Sequence, residues 1–304
     1  MEQIVDNSFA IIGGATKSGT TSLFKYLKDH PEVSGSSLKE TRFFLDIDYP
    51  VPAIHHYNGS LSKYFEFFKQ ISKDQLLLEA TPDYLYSLGT PERIKSKISN
   101  CKLVFILRNP VDRFISWYKF SKQNNSIPSD TSLGDFFKMQ VDDEKNYYEQ
   151  HRMVLMQGKY SEYLNNYFEC FDPEKIYVCY LEDLEADPYQ FMNKICEFLH
   201  IESGFYKDYS FIAQNVTIDV KNQNLHQIYR KLSALIRKNV HKNVVAHGLL
   251  KKMKKSLIPF YLKANEREEK DRVEFYKDEM RPLIDYYSEE LERYKERYRV
   301  LLHA

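Results

Sequence analysis

Apolar and polar positions fall in blocks along this chain, and the blocks read as strands alternating with helices. Phe9 to Ile12 is a short apolar run of the kind that forms a buried strand. A loop of small residues follows, Gly13, Gly14, Ala15, Thr16, Ser18 and Gly19, with Lys17 set in it. Leu23, Leu27 and His30 then recur at helical spacing, and the helix they predict ends near Asp29-His30-Pro31, because proline disfavours helix in the residue before it. Residues 32–38 predict a loop, residues 46–60 an irregular excursion, and Tyr64 to Ile71 a short amphipathic helix.

Leu76 to Leu78 predicts a second strand, running into Glu79-Ala-Thr-Pro-Asp-Tyr84. Thr90 and Pro91 then predict a helix start, with Thr90 as cap and Pro91 in the first position. The strongest strand signal is Lys102 to Leu107. It leads into Arg108-Asn-Pro110, where Asn109 caps a helix whose apolar face carries Val111, Phe114, Ile115 and Tyr118. Residues 121–135 read as an exposed polar loop. Helices are expected at 135–150 and 160–171, a strand at Ile176 to Leu181, and an Asp187-capped helix from Pro188 to about Leu199. Beyond residue 204 the pattern is mostly helical. This alternation predicts an α/β fold, a central parallel sheet flanked by helices, with a mostly helical C-terminal part.

Composition narrows the classes. The chain has 304 residues, enough for one large α/β domain or two modest ones, and its 43 Lys+Arg balance its 43 Asp+Glu. No global field then steers it to nucleic acid or to an anionic membrane, so any basic site is local. The basic stretch from Lys231 to Lys255 is balanced by an acidic C-terminal segment and reads as solvated helix surface. Cys101, Cys170, Cys179 and Cys196 are widely spaced with no metal-type pairing, and Cys101 and Cys179 sit in or beside strands, which points to reduced thiols and a reducing compartment. Glu2 and Asp6 argue against a secretory leader, and runs such as Leu103 to Leu107 are far below the ~20 residues of a membrane span. The expectation is a soluble, cytoplasmic protein with no membrane and no nucleic-acid partner. His55, His56, His241 and His247 are scattered and read as surface residues, so no metal ligands are expected.

The chemistry starts at the first loop. A strand, a glycine loop and a helix N-terminus together offer backbone N–H groups and a positive dipole end to an anion. Lys17 adds a charge, and Ser18, Thr20, Thr21 and Ser22 add hydroxyls. The order Gly14-Ala-Thr-Lys17-Ser-Gly19-Thr20-Thr21 departs from the nucleotide P-loop, where lysine follows the last glycine and a hydroxyl holds magnesium. Arg108, at the C-terminal end of a strand, and Ser116, two helical turns on, suit a second and separate phosphate. Phosphate sites on neighbouring strands imply a nucleotide phosphorylated at both ends.

Lys17-Ser-Gly-Thr-Thr with Arg108 and Ser116 resembles the cofactor signatures of sulfotransferases that use 3′-phosphoadenosine 5′-phosphosulfate (PAPS). Lys39-Glu-Thr-Arg-Phe-Phe is similar to a segment of the carbohydrate branch, which includes heparan sulfate sulfotransferases and bacterial relatives. Glu79-Ala-Thr-Pro-Asp-Tyr, Gly158-Lys-Tyr-Ser-Glu-Tyr-Leu164 and Tyr180-Leu-Glu-Asp-Leu match further. The resemblance implies one sulfotransferase domain over 1–304, with a P-loop-like cofactor core at about 8–200 and a helical portion at about 205–304. It implies PAPS as co-substrate, adenosine 3′,5′-bisphosphate as product and no metal. Lys17 would contact the 5′-phosphosulfate and its bridging oxygen; Ser18 to Ser22, with the loop N–H groups, would hold the 5′-phosphate. Arg108 and Ser116, joined by Lys221, would hold the 3′-phosphate. Glu40 would be the catalytic base. Lys39, Glu79, Asp83 and Tyr160 would line the acceptor side.

Heparan-type relatives carry a lysine where this chain has Ala80, and Asp46, Asp48, Glu79 and Asp83 cluster nearby in sequence. A neutral or cationic acceptor, a sugar or a small hydroxylated or amine-bearing molecule, is therefore expected rather than a polyanion. Whether oxygen or nitrogen receives the group stays open, as does the oligomeric state, homo-oligomers included. Two rivals keep the cradle: a P-loop kinase or NTPase with Glu79 on its magnesium strand, and a non-catalytic nucleotide-binding protein. Neither uses both Arg108 with Ser116 and Glu40.

Overall fold

The computed structural model describes residues 7–68, 74–124, 126–128, 130–143, 154–213 and 280–296. The predicted positions Lys221, His241 and His247, and the basic stretch 231–255, lie outside the described residues. The chain divides into two compact units, one made of 1–114, 139–215 and 284–304, the other of 115–138 and 216–283.

The first unit is built on a parallel sheet of five strands: β1 (Phe9–Gly14), β2 (Val33–Gly35), β3 (Leu76–Ala80), β4 (Cys101–Leu107) and β5 (Ile176–Tyr180). Their order is β2-β3-β1-β4-β5: the chain runs from the central β1 to β2 at one edge, returns to β3, and crosses over β1 to β4 and β5 on the other side. Such a switch point opens a crevice at the C-terminal strand ends, where α/β sheets bind ligands. Both faces are covered, which is why the strands read as apolar runs. Phe9, Ile11, Leu77, Leu103, Phe105 and Leu107 point into one core, and Ala10, Ile12, Leu78, Val104 and Ile106 into the other.

The helices supply the covers. α1 (Thr20–Lys28) brings Leu23, Phe24 and Leu27 to the second core. A short α2 (Ser62–Phe65) and α3 (Thr90–Lys97) face the first core with Tyr64 and Ile94. The helices α4 (Pro110–Gln123) and α5 (Leu133–Asp143) follow in the chain. In α4, Val111, Phe114, Ile115 and Tyr118 are all buried, and Asn109 Oδ1 accepts from Val111 N at 3.0 Å, as a cap should. Further on, α6 (Tyr160–Cys170) adds Leu164 and Tyr167 to the first core, while α7 (Leu181–Ala186) and α8 (Pro188–Leu199) line the second. Asp187 accepts from Gln190 N at 2.9 Å, the expected cap of α8. Near the C-terminus lies α9 (Ser288–Lys295).

Within the second unit, Tyr118 Oη donates to Thr131 O at 2.8 Å and its ring lies 5.7 Å from that of Phe136.

Three expectations are corrected. Residues 32–38 contain β2, because pairing with β3 recruits a Val-Ser-Gly segment with little strand propensity of its own. Thr90 does not cap α3: its hydroxyl donates to Phe44 O at 2.8 Å, and Gly89 holds the cap position. The polar stretch 121–135 is shorter than expected, since α4 runs to Gln123 and α5 begins at Leu133. Among the described residues no helix is long and apolar enough to cross a membrane.

Candidate active site

The loop between β1 and α1 is held by backbone geometry. Ala15 N donates to Ile106 O at 2.7 Å, tying the loop to β4. Lys17 (φ 64°) and Gly19 (φ 84°) both take left-handed backbone. At Gly19 this matters twice, since a Cβ there would stand 2.6 Å from Leu181 Cδ1. No side chain caps α1. Its opening residues Thr20, Thr21 and Ser22 thus bring hydroxyls, N–H groups and the helix dipole to the loop. Lys17 is partly buried beside Arg108, and burial first, then that neighbouring guanidinium, lower its ammonium pKa to about 8. Two cations held this close raise the local positive potential, which favours an anion.

Beneath the loop lies a buried polar layer. Thr16 Oγ1 donates to Gln157 Oε1 at 3.2 Å, and the Tyr86 hydroxyl lies 3.3 Å from both Thr16 N and Thr16 Oγ1. The fully buried Arg113 donates from Nη1 to Thr16 Oγ1 at 3.4 Å and from Nη2 to Val154 O. Tyr160 Oη donates to Arg108 O at 2.8 Å, with the buried Ser18 hydroxyl beside it but not in good hydrogen-bond geometry. Next to Arg108, Asn109 N donates to Glu182 Oε1 at 2.9 Å, and Tyr294 of α9 donates to the other Glu182 oxygen.

The second part of the site is the segment from Lys39 to Phe44, laid across the end of β3. Glu40 N donates to Ala80 O at 2.8 Å, and Glu40 (φ 66°) and Arg42 (φ 59°) are left-handed. The Glu40 carboxylate sits between Lys39 Nζ at 2.8 Å and Arg42 Nη2 at 3.0 Å. Burial pushes its pKa up, but the two cations outweigh burial and hold it below the ordinary glutamate value.

Underneath, Glu79 is fully buried and its carboxylate accepts four hydroxyls. Thr41, Thr81 (2.8 Å) and Tyr84 (2.8 Å) donate to one oxygen, and Tyr64 (2.7 Å) to the other. These groups in turn receive the segment's backbone: Arg42 N donates to Thr81 Oγ1 at 3.1 Å, Phe43 N to Thr41 Oγ1 at 3.3 Å, and Phe44 N to Tyr84 Oη at 3.2 Å. Burial raises the Glu79 pKa against the pull of its hydroxyl donors.

The structure thus brings Lys17, Ser18, Gly19, Thr20, Thr21 and Ser22 together with Arg108 at the sheet's C-terminal edge. Glu40 and Lys39 lie at the end of the neighbouring β3. Ser116 is buried in α4 within the second unit, and Lys221 is outside the described residues.

Three of the expected acceptor-side residues are buried. Glu79 is committed to four hydroxyls, Asp83 is buried and accepts from Tyr49 Oη at 3.1 Å, and the fully buried Tyr160 donates to Arg108 O. Asp46 is tied to Arg93 (2.5 Å), Ser87 and Gly89, which leaves Asp48 as the exposed member of the expected acidic group. Ala80 is itself buried. Sequence reasoning missed Thr16, Tyr86, Arg113 and Gln157. An arginine in a helix reads as solvated, and no spacing signals that it turns inward.

The family model described as the sulfotransferase domain matches residues 8–273. The membrane-associated sulfotransferase kil1 of Dictyostelium discoideum is 35% identical over 136 residues, covering 43% of this chain and 28% of that protein. The heparan sulfate glucosamine 3-O-sulfotransferase 3B1 of Mus musculus is 33% identical over 125 residues, covering 41% of this chain and 30% of that protein. The matches thus span less than a third of either relative's length. The crystal structure of a sulfotransferase from Alicyclobacillus acidocaldarius superposes with a TM-score of 0.59 at 23% identity, over 79% of this chain and 98% of that one. That likeness concerns the fold.

Proposed function

Because the chain belongs to the sulfotransferase domain family, we propose that it moves a sulfuryl group from PAPS to a hydroxyl or amine of a sugar or small molecule. The observation that carries this reading is the pairing of two sites on adjacent strand ends. A lysine-bearing anion loop follows β1, and a carboxylate flanked by cations crosses the end of β3.

In this reading Lys17, the hydroxyls of Ser18, Thr20, Thr21 and Ser22, and the loop N–H groups hold the 5′-phosphosulfate. Arg108 holds the 3′-phosphate, with Ser116 and Lys221 as its proposed partners. Bound PAPS supplies the activated sulfuryl group. Glu40 takes the acceptor's proton as the acceptor atom bonds to sulfur. The bond from sulfur to the bridging oxygen breaks, its electron pair stays on the 5′-phosphate, and Lys17 stabilises the charge that develops there. Sulfuryl transfer of this kind resembles in-line phosphoryl transfer, in which positioning and charge stabilisation do most of the work. The four free thiols, three of them buried, support a reducing, cytoplasmic location as part of the same proposal.

The test is calorimetry of the chain with adenosine 3′,5′-bisphosphate against ATP, each with and without magnesium. The bisphosphate should bind more tightly and without metal. Equal or tighter, magnesium-dependent ATP binding would favour the kinase rival and overturn the proposal. A labelled-PAPS screen across sugars, small hydroxylated compounds and amines then identifies the acceptor.

A further inference from the structure

Arg113 is fully buried in α4. Nη1 and Nη2 donate to Thr16 Oγ1 and Val154 O, and Nε has no hydrogen-bond partner. Among the described residues no carboxylate pairs with it. Its polar surroundings are Thr16, the Val154 carbonyl and the phenols of Tyr86, Tyr160 and Tyr287. Burial raises all three phenol pKa values, so these groups stay neutral and supply no countercharge.

A buried ion without a counterion is strongly unfavourable. The hydrogen bonds to Thr16 and Val154 ask only for a donor, which a neutral amide could provide. What a neutral group could not provide is the positive charge. That charge sits under Thr16, the residue before Lys17, in a low-dielectric layer where its field reaches the loop with little screening.

We infer that Arg113 is the buried countercharge of the anion bound at the β1–α1 loop, acting from below through Thr16 without touching the ligand. It is a positioning and electrostatic residue. The proposal rests on the reading of the loop as the 5′-phosphosulfate site. On this account the ligand-free site holds a buried cation that no carboxylate among the described residues compensates, and loading the 5′-phosphate compensates it. Stability and affinity then trade against each other at this position, whereas a purely structural arginine would stabilise the chain loaded or empty.

The experiment measures two quantities for the full chain and for the Arg113→Met, Arg113→Gln and Arg113→Lys variants. These are the melting temperature without ligand, and the dissociation constants for adenosine 3′,5′-bisphosphate and adenosine 3′-phosphate. Met and Gln should weaken the bisphosphate about tenfold or more, the scale of one charge in a medium of intermediate dielectric. They should leave adenosine 3′-phosphate unchanged, because it lacks the 5′ group. The ligand-free melting temperature should hold or rise, and Lys should bind close to the parent chain. Equal losses for both nucleotides, or unchanged bisphosphate binding, would overturn the inference. So would a chain that folds only with a cation at 113, since the charge would then serve the fold. If the parent chain itself fails to bind the bisphosphate, the functional reading falls first.

Discussion

Glu40 and Lys39 are neighbours in sequence and form an ion pair of 2.8 Å, with Arg42 closing on the other carboxylate oxygen at 3.0 Å. The pair needs the left-handed backbone at Glu40 and Arg42, which the hydroxyls gathered by Glu79 help to hold. The candidate base is therefore ionised and oriented before any acceptor arrives.

Glu40→Gln should lower kcat by about 10²- to 10⁴-fold, the usual contribution of a positioned base. Its affinity for adenosine 3′,5′-bisphosphate should stay near the parent value. Because Lys39 and Arg42 outweigh burial and depress the Glu40 pKa, the base form persists at neutral pH. The acid limb of kcat/KM should lie below the ordinary glutamate value of 4.5, with activity lost as pH falls through the depressed pKa. Lys39→Ala removes one of the opposing cations, so the same limb should move to higher pH. A pH–rate profile of the three chains checks this.

Lys17 predicts the alkaline limb. Burial and Arg108 lower its pKa to about 8 in the ligand-free chain, and in the proposed mechanism it is the protonated form that meets the leaving oxygen. kcat/KM should therefore fall as pH rises through about 8. The limb in kcat should lie higher, since a bound dianion favours the charged lysine. Lys17→Ala should cost about 10²- to 10³-fold in kcat and flatten the alkaline limb. Initial rates at saturating and limiting PAPS separate the two limbs.

Much of this arrangement was legible in the sequence because local signals and tertiary structure agree. The apolar run, glycine loop and helix around Lys17 stand as read, and Asn109 and Asp187 cap α4 and α8. Where local and tertiary preferences compete, the reading failed. Thr90 has the residue type of a cap but donates its hydroxyl across the fold to Phe44 O, and Val33–Gly35 becomes a strand only by pairing with β3. Only the family resemblance places Glu79 on the acceptor side, and its burial under the 40–44 segment has no local signal. Its hydroxyl partners Thr41, Tyr64, Thr81 and Tyr84 come from three separate segments, which no sequence spacing reveals.

Glu79 should prove indispensable to geometry without touching a ligand. In Glu79→Gln one carboxylate oxygen becomes an amide that cannot accept, so at least one of the buried hydroxyl donors loses its partner. Each such loss costs about 1–3 kcal/mol, read as a lower melting temperature. The 40–44 segment should loosen, and a displaced Glu40 should lower kcat by about tenfold to 10²-fold. Bisphosphate affinity should hold, because the β1–α1 loop does not depend on Glu79. Loss of nucleotide binding together with kcat would show a general collapse instead.

Gly19 offers the sharpest test of the loop itself. Its φ of 84° favours glycine, and a Cβ would meet Leu181 Cδ1 at 2.6 Å, so Gly19→Ala is strained by backbone and by packing together. The strain is of order 1–3 kcal/mol. Part can be relieved by moving the Leu181 side chain, so Gly19→Ala combined with Leu181→Ala should recover stability. The backbone strain has no such relief, and the N–H groups at the start of α1 should stay displaced. The double variant should therefore melt near the parent chain yet bind adenosine 3′,5′-bisphosphate more weakly. Calorimetry on the single and double variants distinguishes the effects, and full recovery of binding in the double variant would show that packing alone required the glycine.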